Sequence, residues 1–347
     1  MTEPSPTVGR AATYAGKRAL VIGGCGFMGL NLARALVALG ADVTIFDVAA
    51  HPDRLAFAGL DGHARIVLGT VTDDAAVARA VVGQDIVFNL AGRSGAVDSL
   101  ADPFLDLEVN ARGALTALEA CRRHNPQAKV VFPGSRLQFG RPRYLPVDEE
   151  HPLDPIDLYG IHKLTAEKYH ALYHRLFGLD TTVLRISNPY GPWQYVVGGS
   201  YNIANWFIYL AVCDRPLTLF GSGEQLRDHI FVADVVSAFL LAGASPRAAG
   251  AVFNVGSGQP ASLAHVANRI TAVVGRGSVE SVPWPPDSRL TETGDYVTNT
   301  AKIEAALGWK SAVSLDDGIR QTAAFYEAAL KQGLIDARVS ERNDPHR

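Results

Sequence analysis

This chain of 347 residues is short of everything that staples or clips a small domain together. Its three cysteines, Cys25, Cys121 and Cys213, are odd in number and far apart. That pattern excludes a disulfide framework and a clustered zinc site, predicts no bound metal, and fits a reducing cytoplasm. Long hydrophobic runs are missing too. No segment approaches about eighteen uninterrupted apolar residues, so no membrane span is expected, and positions 1–16 hold no apolar stretch suited to a signal peptide. Charge of one sign is also lacking. A formal net charge of −3 argues against general attraction to nucleic acid or a membrane surface. Any phosphate-bearing substrate must then be held by a few placed cations. Internal repeats and low-complexity tracts are absent as well.

What the chain does have is core-forming material: 48% of residues are hydrophobic and 19% charged, enough for one large or two smaller domains. Residues 1–14 and 338–347 are polar and aperiodic and are expected as flexible tails. From Lys17 to about Gly140, short apolar runs alternate with helical periodicity. Strands are predicted over 19–22, 43–46, 65–68, 86–90 and 130–132, with helices over 30–39, 75–82 and 104–124. A helix over 158–177 and a strand over 182–186 follow. Such alternation predicts an α/β fold with a parallel sheet covered on both faces, its ligand edge at the strands' C-terminal ends. After Gly191 loops rich in Pro, Trp and Gly separate short strands at 216–220 and 251–255, and a helix is predicted over 232–244.

The segment Gly23-Gly24-Cys25-Gly26-Phe27-Met28-Gly29 lies between the first strand and the first helix. Glycines there let backbone N–H groups approach a pyrophosphate resting on the partly positive helix start. Asp47 closes the second strand about twenty residues later, where a carboxylate accepts ribose hydroxyls and repels a 2′-phosphate. NAD is therefore predicted over NADP. The architecture expected is a Rossmann-type doubly wound parallel sheet over 17–190, with return segments near 228–256. A smaller C-terminal substrate-binding lobe is expected mainly over 191–335.

Tyr159 and Lys163 are four apart at the start of the 158–177 helix, so phenol and ammonium share a face. A free phenol has a pKa near ~10, and a base poised at neutrality needs a shift of roughly three units, about 4 kcal/mol. A lysine cation and a positively charged nicotinamide are expected to supply much of it. Ser135, just beyond the strand at 130–132, would sit on the ligand edge and hold a substrate oxygen.

At these residues the chain resembles the extended short-chain dehydrogenase/reductase family, in its NAD-dependent nucleotide-sugar epimerase/dehydratase branch (UDP-glucose 4-epimerase-like). The glycine turn, Asp47, Asn89-Leu90-Ala91-Gly92, Asn110, Ser135 and Tyr159/Lys163 fall in family order, and the resemblance runs from about Lys17 to Tyr326. It implies that Ser135, Tyr159 and Lys163 are catalytic. It also implies that Gly23, Gly26, Phe27, Met28, Gly29, Asp47, Leu90, Ala91, Gly92, Asn110, Tyr159 and Lys163 meet the cofactor. Thr70 and Val71 join them, although Gly69-Thr70-Val71 lacks the aspartate that usually contacts adenine. On the substrate side it implies that Asn188 contacts a phosphate, Phe220 flanks the base and Arg227 clamps the diphosphate. Ser94 and Asn202 are expected nearby.

The departures from the pattern bear on the chemistry. Dehydratases of this branch carry an Asp-Glu pair after the catalytic hydroxyl residue, and here Ser135 is followed by Arg136 and Leu137. Arg136 is a cation beside the reacting sugar that either reads a carboxylate or faces solvent. Glu292 stands where epimerases carry a second phosphate arginine, and Arg289 is expected to compensate. The expected activity is NAD-dependent epimerisation of a nucleotide-diphosphate sugar at C4 through a 4-keto intermediate. The alternatives are a nucleotide-sugar dehydrogenase or ketoreductase with net redox and, further off, a dehydratase. A non-catalytic cofactor-sensing protein would be expected to lack Tyr159 or Lys163. A homodimer through helices 104–124 and 158–177 is expected from Leu105, Leu115, Leu118, Tyr169, Leu172 and Leu176.

Overall fold

The computed structural model describes residues 14–93, 95–196, 202–284 and 292–336. Six strands come first: β1 (Arg18–Ile22), β2 (Asp42–Asp47), β3 (Ala64–Leu68), β4 (Ile86–Asn89), β5 (Lys129–Ser135) and β6 (Thr181–Ile186). Four short ones follow: β7 (Asn188–Tyr190), β8 (Leu217–Phe220), β9 (Leu226–Arg227) and β10 (His229–Phe231). Then β11 (Val252–Val255) returns to the sheet, and β12 (Ala261–Ser262) and β13 (Val279–Val282) complete the second lobe. The main sheet is parallel throughout and runs β11-β6-β5-β4-β1-β2-β3. Strand order reverses between β1 and β4, which opens a crevice beyond their C-terminal ends.

Helices α1 (Phe27–Ala38), α2 (Pro52–Phe57), α3 (Asp74–Val81), α4 (Ala96–Ala101), α5 (Pro103–Leu107), α6 (Gly113–His124) and α7 (Leu158–Phe177) belong to the first half. The second half carries α8 (Ile203–Val212), α9 (Val232–Ala244), α10 (Leu263–Val274), α11 (Ala301–Leu307) and α12 (Leu315–Lys331). Side chains alternate between two cores with the period of two that a strand imposes. Ala19 and Val21 join α1 and α9 on one face, while Leu20 and Ile22 join α3, α6 and α7 on the other. The first core continues into α8, α10 and α12, so the second lobe shares hydrophobic contacts with the first.

Two expectations need correcting. Tyr14 is no part of a flexible tail: it is 1% exposed, and its phenol donates to the Leu240 carbonyl at 2.8 Å. The segment 104–124 is not one regular helix either. A π-helical turn over Glu108–Arg112 separates α5 from α6, and it directs the Asn110 amide at the Arg93 carbonyl (3.1 Å) and at Asp106 (2.9 Å). Such turns recur at functional sites because they re-aim one side chain without ending the helix. Among the described residues no helix is long and apolar enough to cross a membrane.

Candidate active site

Several helices here begin on a side-chain cap, among them α3 on Asp73, α7 on Asp157, α10 on Ser262 and α12 on Ser314. α1 begins differently. Its N-cap is Gly26, no side chain caps it, and its first turn carries no acid. Its leading N–H donors therefore lack the usual side-chain acceptor and face the crevice as a ready anion site. The turn before it has no room for side chains. A Cβ on Gly29 would lie 2.3 Å from the Gly23 carbonyl oxygen, and one on Gly23 would lie 2.7 Å from the Ala91 nitrogen. Gly23 also has φ +77°, the left-handed region. This bare backbone cradle fits a pyrophosphate. Phe27 and Met28 open α1, and Leu90, Ala91 and Gly92 cross in front of Gly23 at the end of β4.

Asp47 ends β2 and accepts from the Cys25 N–H at 2.8 Å, so the acid is tied to the glycine turn. Thr70 bonds Thr72 across the next turn at 2.9 Å, and Val71 packs under Gly113. Asn89 is 1% exposed, and neither its amide nitrogen nor its carbonyl oxygen has a partner; the Asn110 carbonyl oxygen is likewise unpartnered. Orphaned buried polar atoms are rare in folded proteins. Here they line the crevice.

Ser135 ends β5, near enough for its hydroxyl to pull the Tyr159 phenol's pKa down. The turn that carries it is locked. Ser135 caps Leu137 at 3.2 Å, Gln138 accepts from the Ser135 N–H at 2.6 Å, and Gln138 donates to Glu167 at 2.7 Å. Glu167 in turn takes a two-pronged bond from Arg185 on β6, at 2.8 and 2.7 Å. Gly160 lets α7 lie against this turn, since a Cβ there would be 2.6 Å from the Leu137 carbonyl oxygen.

Burial pushes the Tyr159 phenol up to about 12, with Ser135 pulling it back and Asp106 and Asp157 adding to the rise. Lys163 is pushed down to about 7 by burial, opposed by Asp106, and its ammonium lies 4.0 Å from the Phe132 ring centroid. Burial dominates both groups, and Ser135 gives the downward pull on Tyr159. Asp106 is fully buried and bonds His162 at 2.5 Å, within the turn of α7 that joins Tyr159 to Lys163.

On the substrate side, Asn188 on β7 pairs in register with His229 on β10. The Asn188 side-chain oxygen and both His229 ring nitrogens lack partners, and burial with the Arg227 and Arg136 charges lowers His229 to about 3. Arg227 is less free than expected. It donates to Glu292 at 2.6 Å and to the carbonyls of Leu226 and Gly294, so an acid already balances its charge. Its ion pair is with Glu292. Phe220 packs against Trp284, ring centroids 5.5 Å apart, beside a cavity of about 540 Å³ lined by Arg141, Trp284, Glu292 and Thr293. Asn202 takes a structural part instead. It caps α8 through Asn205, and its amide donates to the Pro189 carbonyl at 2.6 Å and to Gln194 at 2.7 Å. Ser94 and Arg289 lie outside the described residues.

Spacing alone carries no sign of Gln138, Glu167, Trp284 or the Glu292 pairing, which join segments far apart in the chain. His162 did leave a trace, three residues after Tyr159 and on the same helical stripe.

Comparison with known proteins gives a consistent picture. A family model described as the NAD dependent epimerase/dehydratase family matches residues 19–256. The chain is 31% identical over 316 residues to a UDP-glucose 4-epimerase of Mycolicibacterium smegmatis, covering 89% of this chain and 98% of that one. It is also 31% identical over 318 residues to a dTDP-glucose 4,6-dehydratase of Streptomyces griseus, covering 88% and 93%. Its structure superposes on that of a Thermus thermophilus UDP-glucose 4-epimerase in complex with NAD. The TM-score is 0.80, with 28% identity over 90% of this chain and 99% of the other.

Proposed function

The chain belongs to the NAD-dependent epimerase/dehydratase family, and on that premise we propose that it epimerises a nucleotide-diphosphate sugar at C4 through a transient 4-keto sugar. One observation carries this reading. Tyr159 lies within the influence of the Ser135 hydroxyl, while the two residues after Ser135 are Arg136 and Leu137. Eliminating water from the sugar needs a further acid and base at that point. Leucine transfers no proton, and Arg136, even lowered to about 10 by burial and by Arg227, stays protonated at neutral pH.

NAD is the cofactor, and it supplies a hydride acceptor and donor when bound. Gly23, Gly26, Phe27, Met28 and Gly29 would hold its pyrophosphate, and Asp47 its adenosine ribose, with Thr70 and Val71 near the adenine. Leu90, Ala91 and Gly92 would line the nicotinamide side, with Asn89 and Asn110 offering their unpartnered amide atoms. Tyr159 removes the proton of the C4 hydroxyl while Ser135 steadies the oxygen, and it returns a proton once the ketone has turned over. Its phenol is protonated at rest, so ionisation requires positive charge nearby. Lys163 provides that charge while protonated, and its lowered pKa places the change near neutrality. Asn188, Phe220 with Trp284, and Arg227 are the residues proposed to hold the nucleotide diphosphate.

We also propose a cytoplasmic homodimer. Phe104, Leu105, Leu107, Ile161, Leu172, Leu176 and Phe177 are exposed on α5 and α7, an apolar face that a second copy would cover. Leu118 is not part of it, being fully buried in the subunit's own core. The function is tested with purified enzyme, catalytic NAD and C4-epimeric nucleotide sugars. Interconversion without accumulating NADH is expected. NADH formed in proportion to substrate would replace epimerisation with net redox chemistry.

A further inference from the structure

We propose that the sugar this site takes carries a carboxylate, making the substrate a nucleotide-linked uronic acid, and that Arg136 is the residue that reads it. The inference rests on the nucleotide-sugar reading above and narrows it to one substrate class.

Two arginines meet here, and Glu292 and Asp157 act on Arg136 only through their fields, neither of them close enough to form an ion pair with it. Arg136 and Arg227 lie close enough for Arg227 to depress the Arg136 guanidinium. Of the two, Arg227 has an acid of its own, Glu292 at 2.6 Å. Among the described residues no carboxylate lies within ion-pair distance of Arg136. Its one side-chain hydrogen bond there is to the Thr293 hydroxyl at 2.9 Å, and its guanidinium lies 5.5 Å from the Tyr296 ring centroid. Asp157 is in range of the Arg136 field, but it caps the Gly160 N–H of α7 at 2.7 Å. A half-buried guanidinium without a counter-ion is costly unless a ligand brings one. Its planar fork suits a carboxylate.

Neutral polar atoms complete the setting. His229 and Ser187 are 8% and 7% exposed; both His229 ring nitrogens and the Ser187 hydroxyl are unpartnered. Burial first, and then the field of both arginines, keeps His229 neutral, so it adds no competing charge. The position of Arg136 is fixed by its neighbour. It follows Ser135 directly, in a turn locked through Gln138 and Glu167, so its side chain leaves from the point where the sugar is held for proton transfer. An acid group on the sugar itself, and not only the diphosphate, is thus within its compass.

The experiment compares hexose and hexuronate on the same nucleotide, UDP-glucose with UDP-glucuronate and GDP-mannose with GDP-mannuronate, using full-length protein saturated with NAD. UDP and GDP alone are the references, and affinities are read by calorimetry. For one nucleotide the uronate should bind about tenfold or more tighter than the hexose. Arg136→Met should erase that preference while leaving the bare nucleoside diphosphate within about twofold, and Arg136→Lys should keep part of it. Retained NAD affinity shows that the variants are folded. A hexose bound as tightly as its uronate overturns the proposal. So does an Arg136→Met variant that weakens UDP or GDP as much as the uronate, since the arginine would then read the diphosphate. If nucleoside diphosphates and hexoses bind but uronates do not, only this inference falls. If none of the probes binds, the nucleotide-sugar reading falls with it.

Discussion

At the glycine turn the critical distances run from backbone atoms to Cβ positions that must stay empty. Around Arg136 and Arg227 they run between charged side chains whose partners lie 157 and 65 residues away along the chain. The first kind of site is written into a few consecutive residues and tolerates almost no substitution. The second is assembled by the fold and can be retuned one side chain at a time. A family that keeps its cofactor and changes its sugar would be expected to divide its structure in this way.

The largest break is expected where the two regions meet, at the phenol. Tyr159→Phe should lower kcat about 10³-fold, with NAD affinity unchanged by calorimetry, because the ring stays and only the proton carrier is lost. Gly29→Ala attacks the backbone site. Its Cβ would press on the Gly23 carbonyl oxygen and the Gly24 Cα, neither of which can swing aside. NAD affinity should fall by about 100-fold, with a lower Tm; unchanged NAD binding would show that the turn has slack this account denies it.

Lys163 sharpens the contrast through pH. Its folded pKa, about 7, lies below its ordinary value, so between roughly pH 7 and pH 10 the unfolded chain binds more protons and stability rises with pH. Below about pH 7 the cost of burying the charge is felt in full. Lys163→Met removes that cost. Its Tm should exceed the parent's by several degrees at pH 6 and by much less at pH 10, and an equal difference at both values would refute the buried-charge account. The smallest effect belongs to the second lobe. Glu292→Gln releases the Arg227 fork and should tighten UDP binding about threefold, whereas weaker binding would mean that Glu292 chiefly holds the arginine in place.

The same division explains what could be read from the chain. The strand–glycine–helix order, Asp47, Ser135 and the Tyr159/Lys163 pair are local patterns, and the structure gathers them along one edge of the sheet. The break in the 104–124 helix was hidden because its apolar period continues across the π-helical turn. Tyr14 was hidden because its partner, the Leu240 carbonyl, is 226 residues away. Arg227 looked free because Glu292 approaches it from another lobe segment, and nothing near either residue in sequence announces the meeting. Asn202 shows the converse: expected near the substrate, it caps the start of α8.

One rod serves two masters in this molecule. α7 turns Tyr159 and Lys163 inward, yet Ile161, sitting between them, is 44% exposed, and Leu176 and Phe177 are more than half exposed at its far end. Any neighbour settling on that outer surface would lie about one helix diameter, roughly 10 Å, from the reactive oxygen. Crowding or loosening there would be felt as a tilt of the tyrosine, so a partner covering that surface would act on turnover without touching the crevice.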